Sequence, residues 1–161
     1  MSVQQSGLIT PGHVALFATT GVIEDGGALP TADRVIASLR SANFNTTNDQ
    51  PIAIPARISA FVLTGIIITK ASISLTTAVG GFYSAASKGG TPIVAASEIY
   101  TGLTTTSALM RAALTSFGQN TRFSTANLSM IGGYMDIWFS LTTPLGVAAT
   151  ADIYLVGLDL S

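Results

Sequence analysis

Among the side chains able to do chemistry, histidine occurs once, as His13, and cysteine does not occur. A Ser-His-Asp arrangement therefore has one candidate base, and no G-x-S-x-G turn is present to raise a serine beside it. His13 follows Pro11-Gly12 and reads as a turn residue rather than a base. The lack of cysteine removes thiol catalysis, thiolate metal sites and disulfides, and it leaves the compartment open. Lys88 lies between SAAS and GGT, with its glycines after it instead of before it, so the order of a phosphate-binding loop is not met. The residue three before it is Ala85, which also removes an S-x-x-K acyl-transfer pair. An exposed lysine on a glycine-rich loop is the better reading.

The eight carboxylates are scattered. Glu24-Asp25, Asp152 and Asp159 have oxygens to offer calcium, but that ion takes about six to eight ligands, usually from a dense D-x-[DN]-x-[DN]-G run. No such run is present. Turn, edge or interface roles are preferred for these residues, and no catalytic residue, metal or cofactor is assigned. Phe82, Tyr83, Tyr134 and Trp138 offer a stacking platform for a sugar, although ordinary core and interface packing explains the same spacing.

The elements that position these groups are mostly strands. The run Ile58 to Thr69, ISAFVLTGIIIT, is apolar and rich in β-branched residues, with a bulge expected at Gly65. At 12 residues it is short of the roughly 20 a spanning helix needs, so no membrane partner is expected. ASISLTTAV, residues 71–79, alternates with a period of two and reads as a half-buried strand. Tyr134 to Leu141 alternates as well: Met135, Ile137, Phe139 and Leu141 form a purely apolar face, and Tyr134, Asp136, Trp138 and Ser140 the other. Shorter strands are expected near 92–96, 109–115, 121–125 and 151–160. Val35, Ile36 and Leu39 fall at helical spacing, so one or two helical turns are expected over 32–40 with Thr31 or Asp33 as cap, a strand being the other possibility. A short helix is read at 95–103, a loop over 41–56, and a turn at 116–120. Many short strands between glycine, proline and serine turns indicate an all-β sandwich or barrel.

Only 9% of the residues are charged, against about 25% in an ordinary soluble domain. Net charge is −1, with no basic stripe, which argues against a nucleic-acid partner. A mean hydropathy of +0.54 with so little charge implies that much of the surface is covered by partners or clothed in small polar residues. The chain begins with neither the basic start nor the apolar core of a secretory leader, and a soluble protein is expected. Residues 1–56 read as an extended arm and loop, and residues 57–161 as the sandwich body.

In the arm, the apolar runs Val14 to Ala18 and Gly21 to Ile23 are each too short for a helix and are bounded by turn residues. Strand pieces of that length are marginal unless they lie on something else. His13, Val14, Leu16, Phe17, Val22 and Ile23 are therefore the candidate partner-binding residues, either on a partner surface or as an edge hairpin on the chain's own core.

The same segment, SGLITPGHVALFATTGVIEDGG, resembles the N-terminal segment that recurs in virion proteins of tailed bacteriophages, in tail-fibre and head-decoration proteins alike. GGFYSAASKGGTPIVAAS (80–97) and SLTTPLGVAATADIYLVGLDLS (140–161) fit the same family, and the three stretches cover about 60 residues. The resemblance implies a jelly-roll-like β-sandwich and a non-enzymatic structural role, and it places a histidine at the position of His13. Its first expectation is a capsid decoration, or cement, protein made in the bacterial cytoplasm and carried on the outer capsid surface. The arm would then bind the major capsid protein. The other expectation is a head-fibre or tail-fibre component that docks by its arm and meets a host receptor. Because the strand 134–141 carries apolar side chains on both faces, self-association is expected, a trimer by the family's habit. Tyr134, Asp136 and Trp138 are expected at the interface, with Asp136 either at its rim or paired to an arginine such as Arg111 or Arg122.

Overall fold

In this computed structural model, residues 33–161 are described in full, and residues 4–5, 13–17 and 22–28 by their backbone pairing. The chain divides into two compact units, Met1–Ala32 and Asp33–Ser161. The first contains β1 (Gln4–Gln5), β2 (His13–Phe17) and β3 (Val22–Ala28), with β3 in the middle, parallel to β1 and antiparallel to β2.

The second unit is a two-sheet sandwich. Its strands are β4 (Arg34–Asn43), β5 (Gln50–Ala53), β6 (Ala60–Thr69), β7 (Val79–Ala85), β8 (Gly89–Val94), β9 (Leu109–Ala112), β10 (Arg122–Ser124), β11 (Ser129–Ile131), β12 (Tyr134–Thr143) and β13 (Thr150–Asp159). One sheet runs β4–β13–β6, with β9 and β10 end to end along the far edge of β6. The other runs β5–β12–β7–β8, with β11 beside the start of β12. Every pairing within these two sheets is antiparallel, and the chain crosses repeatedly from one to the other. With β9 and β10 counted as one strand position, and β7 and β11 as another, this is the strand order of a jelly roll.

The two inner faces meet in one core. Ile36, Phe61, Ile66, Ile68, Ile153 and Leu155 come from the first sheet, and Ile52, Phe82, Ile137, Phe139 and Leu141 from the second. Phe139 is central, with ring centroids 5.0 Å from Phe44 and 5.1 Å from Phe82. Tyr100 meets Phe44 edge-on at 5.2 Å and donates its hydroxyl to the Gly80 carbonyl, which satisfies the one polar atom it carries inward. Full burial of each such side chain is worth about 1.5–3 kcal/mol.

Several local expectations are corrected. The body begins at Asp33, not at Arg57, because β4 and β5 are strands of the two sheets. Residues 34–40 supply strand rather than helix, and β5 lies inside the stretch read as a loop. Pro51 is tolerated there because β5 is an edge strand. Of residues 71–79, read as a strand, 71–78 form the crossing between sheets and Val79 begins β7; the crossing is tied by Leu75 N–H to the Leu103 carbonyl and Ser72 N–H to the Thr150 carbonyl. No helix forms at 95–103, which is turns and a single bridge. The expected turn at 116–120 is the one short helix among the described residues, α1 (Ser116–Asn120), capped by the Thr115 hydroxyl accepting from Gly118 N–H at 3.1 Å.

Candidate functional site

Of the arm residues, His13, Val14, Leu16 and Phe17 lie on β2, and Val22 and Ile23 on β3, with Phe17 opposite Ile23 and Leu16 opposite Glu24. What their side chains touch lies outside the described residues.

The second candidate surface is the outer face of β12. Tyr134 is 48% exposed, but Asp136 and Trp138 are only 3% and 7% exposed within a single copy of the chain. Trp138 stands between Pro51 of β5 and Tyr83 of β7, and its indole N–H donates to the Ser129 hydroxyl at 3.0 Å. Asp136 accepts from Ile131 N–H at 3.2 Å, and among the described residues no arginine pairs with it. Arg111 and Arg122 sit on β9 and β10 of the other sheet. Burial pushes the Asp136 carboxyl above its ordinary range, and the Ile131 N–H pulls part of the way back.

The chain supplies this cover itself. Ser140 and Lys88 both donate to the Thr47 carbonyl, at 3.3 and 3.0 Å, and Asp49 accepts from Ser87 N–H. The loop 45–49 is thus fastened to the face and to the β7–β8 turn. Tyr83 is buried next to it, with its hydroxyl unpartnered among the described residues, and its ionisation is pushed up first by burial and then by Asp49. The sugar platform is not assembled: Phe82 points into the core, Tyr83 and Trp138 are covered, and only Tyr134 is open. Tyr134 does stand beside exposed Met130 and Ile131 on the β11–β12 hairpin, next to an apolar cavity of about 210 Å³.

The remaining charged side chains mostly hold the first sheet together. Asp152 faces Arg40 at 2.7 Å and Lys70 at 3.7 Å and accepts from Ser41 N–H. Burial alone would raise its pKa, but the Ser41 N–H and the two cations outweigh that and hold it below the usual carboxylate range. The Arg40 guanidinium also lies 4.6 Å from the centre of the Tyr154 ring. Asp159 pairs with Arg34. The two C-terminal aspartates considered for calcium are therefore committed to cations of the protein, and no cluster of three metal-ligating side chains occurs among the described residues.

Sequence reasoning gave Arg111 only a tentative pairing and passed over Gln119. Both line a larger cavity, of about 440 Å³, on the first sheet. The only sequence signal for it is Gly65, an isolated glycine in an apolar strand. Comparison with known proteins finds no matching family, no matching curated protein and no matching solved structure.

Proposed function

We propose that this is a non-enzymatic structural protein of a tailed-bacteriophage virion, acting as a decoration protein on the outer capsid surface. The reading is carried by one combination: the TPGHVALFATTGVIEDGG segment lies in a unit of its own, and a jelly roll with its own closed core follows it. Because the body buries its own core, this reading assigns attachment to the first 32 residues. In this reading they bind the major capsid protein, and each copy bridges capsid subunits that internal pressure would part. Burial of a few hundred Å² of arm at about 25 cal/mol per Å² adds several kcal/mol before ordering costs. Repeated over many copies, that clamps a shell. With Asp136 and Trp138 covered by the chain itself, self-association in this reading uses Tyr134 and the neighbouring Met130 and Ile131, whose exposed apolar surface suits a symmetric contact.

Quantification of the protein in purified particles tests this. Hundreds of copies per particle are expected. A few dozen or fewer would place it in a fibre instead, and its absence from particles would end the virion reading.

A further inference from the structure

The sheet edges are not closed equally. In the second sheet, β5 and β8 carry Pro51 and Pro92, and in the first, β4 is bent by two irregularities in its pairing with β13. Such devices discourage a foreign strand. The remaining edge, along β6, is covered in two pieces, β10 on Ala60–Val62 and β9 on Ile66–Thr69. Between them the chain leaves the sheet as residues 113–121, which include α1. Among the described residues, Leu63, Thr64 and Gly65 therefore face no strand on that side; Thr64 is exposed, Leu63 and Gly65 are buried, and the 440 Å³ cavity opens there.

A cation stands over this gap. A Cβ at residue 65 would come within 2.8 Å of Arg111 Nη1, so glycine is what lets the guanidinium lie across the strand. Arg111 pairs opposite Ile67 and Arg122 opposite Val62, so the two arginines bracket the gap, and both are exposed. The ion pairs among the described residues use Arg34, Arg40 and Lys70, and neither of these two. Val62 and Leu114 add apolar wall, and Gln119 lines the same cavity with its amide N–H donating to the Leu114 carbonyl at 3.1 Å.

A stretch of strand edge with no pairing strand, open at Thr64, calls for the main chain of another segment. A guanidinium over that edge calls for a carboxylate. We propose that this notch binds a short extended segment of a protein partner bearing an aspartate or glutamate. The partner's backbone pairs with Leu63–Gly65, its carboxylate accepts from Arg111 with Arg122 adding to the field, and a flanking aliphatic side chain rests on Leu114 and Val62. A phosphate group would use the arginines but leave the strand edge and the apolar walls unmet. This site belongs to the sandwich body and does not depend on the virion reading.

The test uses isotope-labelled full-length protein and two blocked peptides, threonine-valine-aspartate-valine-threonine and its asparagine counterpart. The aspartate peptide is expected to shift the amide resonances of Leu63, Thr64 and Gly65 and to bind about tenfold more tightly than the asparagine one. Arg111→Ala should abolish that preference. Gly65→Ala, which displaces a flexible side-chain tip and no backbone, should weaken the preference while the rest of the spectrum stays in place. The proposal is overturned by unmoved resonances at millimolar peptide, or by equal binding of the two peptides. Equally strong shifts of the same amides with inorganic phosphate would also overturn it, since they define a simple anion site.

Discussion

Gly157 lies where β13 passes β6 so closely that a Cβ would stand 2.0 Å from the Val62 carbonyl oxygen. That oxygen belongs to the backbone and cannot swing aside. Gly157→Ala is expected to cost about 3 kcal/mol or more, read as a lowered urea midpoint with an unchanged slope. Two aspartates set opposite pH dependences. The folded pKa of Asp136 is raised, so the folded state holds its proton more tightly than the unfolded chain does. Its effect on stability is therefore a loss that grows as pH rises from the ordinary value of about 3.9 through the folded value. Asp136→Asn keeps an acceptor for Ile131 N–H and should raise the urea midpoint at neutral pH, with no gain near about pH 2.5. Asp152 is lowered, so its contribution is complete above the ordinary carboxylate value and is lost as pH falls through the folded one. Asp152→Asn should lower the midpoint at neutral pH, and the difference should shrink on acidification.

At the scale of elements, strands with one regular apolar face were legible and strands with irregular pairing were not. Met135, Ile137, Phe139 and Leu141 alternate along β12 and are all buried as expected. In β4, by contrast, the irregular pairing with β13 brings Ile36 and Ala37, adjacent in sequence, both to the interior. A period of two is erased, and Val35, Ile36 and Leu39 imitate a helix. Residues 71–79 misled in the opposite way: Ile73, Leu75, Thr77 and Val79 alternate, yet Ile73 is exposed and only Leu75 among the four is buried, because the segment crosses between sheets. The element boundaries make a sharp prediction. A chain starting at Asp33 should keep a β-type circular dichroism spectrum and a cooperative melt. A chain starting at Ile54 lacks β4 and β5, which exposes the inner faces of both sheets, and should lose the cooperative melt.

For the whole molecule, the fold class was readable because strand and turn signals recur along the chain, while the surfaces were not. The loop on the outer face of β12 is fastened by contacts such as Ser140 to Thr47, separated by 93 positions, and no local pattern announces them. The notch on β6 is likewise made by two strands meeting β6 from different parts of the chain. The same long-range pairing bears on how the protein is made. β13, the last strand, lies between β4, the first of the body, and β6. Until it emerges from the ribosome, β4 has no neighbour in its sheet, and the edge of β6 that pairs with β13 stays open to other chains. Folding of the body is thus expected to be completed only once residues 150–161 have left the ribosome, at the slow rate typical of non-local β pairings. Limited proteolysis of stalled nascent chains should find those that still hold residues 150–161 inside the exit tunnel fully sensitive, and those with a linker long enough to expose Ser161 resistant. A cell overproducing the protein would carry its aggregation risk in the unfinished copies.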